Sequence, residues 1–159
     1  MIEEYSRVYR SDVRELLNQL QLYVESIDKE GYNIFTEEFG ENYLESIFNK
    51  VNDNNGKIYL YKDGDKAVGI IIGVVNNEED ASYGYKLPKR GKITDLIVLD
   101  SYRHMGIGTS LIKEMEKYFD SINCKNIIIS TLAYGSAINF YDKLGYHMRM
   151  VDMVKDIKD

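Results

Sequence analysis

The chain contains one cysteine, one proline and no tryptophan. A single thiol, Cys124, excludes an intramolecular disulfide, so the fold must be held by its core alone. No apolar run approaches the roughly 20 residues needed to cross a bilayer. The start, Met1-Ile2-Glu3-Glu4-Tyr5, lacks the basic end and apolar centre of a signal peptide. Basic charge is also scarce: the formal net charge is −6. That argues against a sequence-independent grip on nucleic acid, which needs a basic face. Histidines number two, His104 and His147, with no metal-ligand spacing around either. These absences lead us to expect a cytoplasmic protein with no membrane, nucleic acid or metal partner. The acidic balance is compatible with a cationic small molecule or peptide, and equally with plain solubility.

What is present reads as one domain over residues 1–159. Hydrophobic residues make up 44% and charged residues 29%, ordinary values for a globular chain long enough to bury a core. Asp12 and Glu15 make a capping-box-like start, and Val13, Leu16, Leu17, Leu20, Val24 and Ile27 recur at helical spacing, predicting a helix over 12–27. Thr36 is placed to cap a second helix with the stripe Phe39, Tyr43, Leu44, Ile47, Phe48 and Val51. Residues 57–62 and 66–75 form strands around the turn Asp63-Gly64-Asp65, and the second, apolar throughout, reads as covered on both faces. Residues 76–90 break the pattern and hold Pro88, Tyr83 and Tyr85; this stretch reads as a surface excursion before a flap.

The most informative stretch is Ile93–Thr109. An apolar strand to Leu99 is followed by the corner Asp100-Ser101-Tyr102, then Arg103-His104-Met105-Gly106-Ile107-Gly108-Thr109, then a helix to about Phe119. Strand, glycine turn and helix start aim free N–H groups at one point, an anion site suited to phosphate or pyrophosphate. Arg103, three residues before the first glycine, supplies a cation. Leu111 occupies the place of the third glycine of a dinucleotide fingerprint, and the Gly-Lys-Ser/Thr ending of a P-loop is absent. Residues 126–132 read as another strand, 136–144 as a helix closed by Gly145, and 146–154 as a last strand.

Arg103-His104-Met105-Gly106-Ile107-Gly108 resembles the Arg/Gln-x-x-Gly-x-Gly/Ala motif of the GNAT superfamily of N-acetyltransferases. Ala137 to Tyr146, with Tyr141 and Gly145 at the matching places, is similar to that family's Ala-x-x-x-Tyr-x-x-x-Gly-Phe segment. Two motifs at the right separation are far more specific than either alone. The resemblance implies an α/β fold with a mixed, mostly antiparallel sheet of about six to seven strands and about four helices. It implies acetyl-CoA as co-substrate and a small-molecule or peptide amine as acceptor; a homodimer is one assembly open to such a chain. Backbone groups from His104 to Thr109 would hold the pyrophosphate, and those of Leu96, Ile97 and Val98 the pantetheine arm. Tyr141 would protonate the departing thiolate. Tyr134 stands where the family often has an asparagine, for which Asn139 is the substitute.

An ammonium has no lone pair, so a base is expected. The family's fourth-strand positions for it fall on Lys92 and Thr94, neither a carboxylate. Asp95 is the nearest acid; strict alternation places it on the opposite face from Thr94, and a bulge would re-aim it. Glu37, Glu38 and Glu41 are alternatives on the acceptor side. The missing base leaves a rival from another class, a non-catalytic acyl-CoA-binding or sensing module.

Overall fold

The computed structural model describes residues 1–78, 84 and 86–157. The elements run β1 (Ile2–Glu4), α1 (Arg10–Ile27), α2 (Phe39–Asp53), β2 (Lys57–Asp63), β3 (Lys66–Asn76), β4 (Arg90–Val98), α3 (Ile107–Ser121), β5 (Asn126–Ile129) and α4 (Ala137–Lys143). They form one α/β unit around a mixed sheet in the order β1-β2-β3-β4-β5. All neighbours pair antiparallel except β4 and β5, which run parallel.

β3 lies in the middle, and residues 67–75 are all buried, as a continuous apolar run demands. Helices cover both its faces. A side chain at Gly69 would touch Ile107 and Leu111, and one at Gly73 would overlap Met115 and Phe119, so this face lies under α3. The alternate face carries Ile72, which meets Tyr43 and Ile47 of α2. Val13, Leu16, Leu17, Leu44, Leu60, Ile70, Leu111, Met115 and Phe119 are all at most 2% exposed and form the body of the core.

Several expectations need correction. The sheet has five strands among the described residues rather than six to seven. Residues 146–154 carry apolar side chains but form no strand, because no neighbouring strand pairs with them. β5 stops at Ile129 rather than Leu132, where its pairing with β4 ends. The three-residue β1, too short to leave a periodic signal, adds an edge beside β2. Asp12 does not cap α1, which begins at Arg10; its carboxylate accepts the Ala67 N–H at 2.8 Å and ties α1 to the start of β3. Thr36 offers its carbonyl, not its hydroxyl, to the Phe39 N–H (3.1 Å). Tyr83 and Tyr85 of the expected excursion lie outside the described residues.

Candidate active site

β4 is paired differently along its length. On one side it follows β3 as far as Val98, opposite Gly69. On the other, its ladder with β5 runs only from Arg90, opposite Asn126, to Ile93, opposite Ile129. From Thr94 to Val98 that edge of β4 pairs with no strand among the described residues, so a wedge opens between the two parallel strands. The backbone of Leu96, Ile97 and Val98 lies along it.

A bulge marks the point of separation. Ile72 pairs with Asp95 and Gly73 with Ile93, which leaves Thr94 as the extra residue. Strict alternation would put Asp95 under α3. The extra residue instead brings it onto the α1–α2 face, the same face as Thr94. There the Tyr43 hydroxyl donates to Asp95 Oδ1 at 2.9 Å, while Oδ2 has no partner. Asp95 is 6% exposed. Burial holds its carboxyl above the usual range, opposed by the nearby Thr94 and Tyr43 hydroxyls. A half-satisfied buried carboxylate is costly unless it is used. The same pair drives the Tyr43 phenol upward, burial first and the Asp95 charge second. Tyr43 reads in the sequence only as a member of an apolar stripe; no periodic signal distinguishes it from Leu44 or Ile47.

Past Val98 the chain turns tightly. The Leu99 N–H donates to the Val68 carbonyl at 2.9 Å, and the Tyr102 hydroxyl to Asp63 Oδ2 at 2.9 Å, which anchors the corner to the β2–β3 hairpin. His104 (φ 62°) and Gly106 (φ 77°) both take the left-handed conformation, and Gly106 caps α3. Buried Ile107, Leu111, Ile112 and Met115 then fix the helix to the sheet. Its bonding starts with the Ser110 N–H to the Gly106 carbonyl (3.0 Å), so the N–H groups of Ile107, Gly108 and Thr109 have no acceptor one turn back. No acidic residue sits in that first turn to compete for the helix dipole. Met105 and His104 are exposed beside it. Arg103 folds back: it donates through Nε to the Val98 carbonyl (3.3 Å), pairs with Asp100 (2.9 Å) and covers the Tyr23 ring. With Gln19, Leu22, Tyr23, Ile97 and Asp100 it lines a cavity of about 360 Å³ between α1 and the end of β4.

α4 approaches from the α3 side, with Phe140 against Gly108 and Val98 nearby. Tyr141 is held edge-on between Phe140 and Tyr146, at 5.1 and 5.7 Å between ring centres. Its phenol is pushed up to about 12, by burial and then by the Asp95 charge. Asp95 and Tyr141, 46 positions apart in the chain, are near enough for the charge of the first to act on the phenol of the second. Asn139 is exposed on α4 and makes no hydrogen bond among the described residues. Tyr134 faces elsewhere: its hydroxyl bonds Glu30 and accepts the Lys29 N–H (3.1 Å). Glu41 is taken up by ion pairs to Arg10 and Arg14. His147 is exposed and outside any strand, against its expected place in one. Cys124 is half-buried, and burial raises its thiol. No group of three or more metal-ligating side chains is found among the described residues.

Residues 22–146 match the model of the GNAT acetyltransferase family. An N-alpha-acetyltransferase of Sulfurisphaera tokodaii is 36% identical over 62 residues, a match covering 38% of this chain and only 37% of that relative. Among solved structures, a Bacillus halodurans protein superposes with a TM-score of 0.85 at 16% identity, covering 99% of both chains. An aminoglycoside 6′-N-acetyltransferase of Acinetobacter haemolyticus gives 0.69 at 18% identity, also over 99% of both. A further aminoglycoside N-acetyltransferase, solved with a CoA-linked bisubstrate analogue, gives 0.71 at 16% identity over 99% of this chain and 98% of that one. The chain belongs to the GNAT acetyltransferase family.

Proposed function

We propose that the protein is an acetyl-CoA-dependent N-acetyltransferase, with a primary amine of a small molecule or peptide attacking the thioester directly in a ternary complex. The observation that carries this reading is the wedge itself. An unpaired strand edge leads into a row of unbonded helix-start amides, and a buried half-satisfied carboxylate stands on the same strand.

The described residues fit the co-substrate. Amides from His104 to Thr109 would hold the pyrophosphate, with Arg103 in reach after release from Asp100. Leu96, Ile97 and Val98 would bond the pantetheine arm in the manner of an added strand, and Asn139 lies beside its path. Acetyl-CoA supplies the activated acetyl group. Asp95 takes the proton of the acceptor ammonium, directly or through water, and its raised affinity for protons suits it to that work. Tyr141 donates to the departing sulfur.

The phenol of Tyr141 is raised by burial first and by the Asp95 charge second. A phenol at about 12 facing a thiol near 8.5 is mismatched by about 3.5 units, on the order of 5 kcal/mol. Protonation of Asp95 removes the smaller of the two causes and leaves burial, so the phenol stays above its ordinary value. The acceptors named for the relatives differ in this respect. An α-amine near 7.8 is roughly a tenth deprotonated at pH 7, whereas an alkyl amine near 10.4 is almost wholly charged. The cavity beside Tyr23 and Ile97, on the same face as Asp95, is the place for the acceptor.

The test is a thiol-release screen with acetyl-CoA across polyamines, aminoglycosides and peptide α-amines, together with coenzyme A calorimetry. Turnover on one class is the expected result. Gly108→Glu sets a carboxylate against the pyrophosphate, and like charges in contact weaken binding by about a hundredfold or more. Unchanged affinity in that variant rules out the helix-start site. Tight coenzyme A binding without turnover on any amine replaces the enzyme by a sensing module.

A further inference from the structure

Tyr43 is held in place from several sides. Gly40, one turn before it on α2, lies so close to α1 that any side chain there would overlap Asn18 and the stem of Arg14. Arg10 ties the same part of α2 to α1 through ion pairs with Glu41 and Glu45. Leu44, next in the chain, is fully buried in the core. The Tyr43 ring stacks on Phe39, with 5.0 Å between ring centres and 24° between planes. A ring fixed in this way places its hydroxyl at one point, 2.9 Å from Asp95 Oδ1.

Asp95 has two oxygens able to accept, and only one is used. Oδ2 is buried with no partner among the described residues. The Thr94 hydroxyl is turned to the Ile72 carbonyl at 3.4 Å. Lys50, two turns further along α2, adds a weak positive field, and the Tyr141 phenol of α4 lies within range of the Asp95 charge. Ile72 of β3, paired opposite Asp95, brings no charge. Two opposed forces therefore set the state of the carboxyl: burial favours the neutral acid, and the hydroxyl beside it favours the carboxylate. The Tyr43 phenol is itself pushed upward, so it stays protonated and able to donate.

We propose that Tyr43 is a positioning residue: its hydroxyl holds Oδ1 of Asp95 and leaves Oδ2 as the atom that receives the proton of the acceptor. This rests on the acetyltransferase reading with Asp95 as base. In the transfer an N–H bond of the acceptor ammonium breaks, the Oδ2–H bond forms, and the electron pair left on nitrogen attacks the thioester carbonyl. Tyr43 gives up no proton and acts only through Asp95. Without its hydroxyl, both oxygens would be buried and unheld, and the carboxyl would be free to turn about its broad terminal torsion. Burial would then act with less opposition, and a neutral carboxylic acid takes no proton from an ammonium.

Tyr43→Phe removes one oxygen and keeps the ring and its stack on Phe39, so the fold should be retained. Two readouts test the proposal. One is the carboxyl-carbon NMR titration of Asp95, its signal assigned by its loss in Asp95→Asn. The other is turnover against pH on an amine that the native protein acetylates. A hydrogen bond to a charged group corresponds to about one to two pH units. The titration and the acid limb of turnover should both move up by that amount, with coenzyme A affinity unchanged and the loss of kcat greatest at low pH. Added to Asp95→Asn, Tyr43→Phe should change turnover by less than about threefold, since no base is left to position. An unmoved titration overturns the proposal, as does a loss equal at every pH or losses that multiply in the double variant. Absence of turnover on every amine removes the enzyme reading, and Tyr43 as a positioning residue with it. An active protein whose Asp95 titration ignores Tyr43→Phe removes Tyr43 alone.

Discussion

The two halves of β4 share a backbone conformation and little else. From Arg90 to Ile93 the strand is bonded on both edges, and Gly91 lets the Phe119 ring lie flat against it. From Thr94 to Val98 it is bonded on one edge only, and it buries a carboxylate where the first half buries an aromatic ring. One inserted residue, Thr94, separates them. The first half has its main chain bonded on both edges; the second is left with main-chain hydrogen-bonding capacity that a ligand can fill. Substitutions in the two halves should then separate cleanly, with stability lost in one and chemistry in the other.

Asp95→Asn should give the largest effect on the open half. Asparagine keeps an acceptor for the Tyr43 hydroxyl but cannot take up a proton, so turnover should fall by roughly 10²–10⁴-fold. In the native chain the rate should decline on acidification above the ordinary aspartate value, because the folded carboxyl is raised. That acid limb should vanish in the variant. Stability should move the other way. A group whose folded pKa is raised stabilises the fold below its unfolded value, near 3.9, and loses that contribution as pH rises through the folded value. At pH 7 the native chain carries a buried charge, so the asparagine variant should melt higher at pH 7 and match the native chain near pH 3. Calorimetry at both values reads this directly. A variant that retains turnover, or melts lower at pH 7, removes Asp95 from the mechanism.

These contrasts were unevenly legible in the sequence. Helices α1 and α3 and the apolar β3 follow from periodicity, and the glycine turn with Tyr141 four residues before Gly145 points to the family. The bulge does not follow, since β4 reads as one alternating strand and the extra residue emerges only from its register against β3. Asp95 thus reads as the nearest acid on the face opposite Thr94, and only a bulge, which the sequence does not locate, re-aims it. Tyr43 was hidden because a tyrosine at a core position of α2 carries no mark of the carboxylate beneath it. Residues 146–154 have strand composition, but composition cannot supply a neighbour to pair with.

Tyr141→Phe probes the opposite wall of the wedge with a smaller expected loss. Phenylalanine preserves the ring contacts with Phe140 and Tyr146, so coenzyme A affinity should stay nearly unchanged. Turnover should drop by about 10–100-fold, at or below the lower end of ordinary acid catalysis, because a phenol near 12 is a weak acid. Single-turnover kinetics beside calorimetry separate the two quantities. Equal losses in both would make the ring a packing element.

Gly91→Ala tests the closed half, and there two effects oppose each other. Replacing glycine restricts the unfolded chain, which stabilises by about 0.4–1 kcal/mol where the backbone permits. The added methyl, however, would overlap the Phe119 ring, which is 1% exposed and has no free volume to move into. Overpacking of this kind costs about 1–3 kcal/mol, so strain should win and the net loss should be roughly 1–2 kcal/mol, a fall of about 2–8 °C in Tm at this chain length. The ladder from Arg90 to Ile93 would absorb the displacement, and the wedge begins only at Thr94. Coenzyme A affinity measured well below Tm should therefore match the native value. If affinity falls in step with stability, the two halves are mechanically one element and the separation at Thr94 fails.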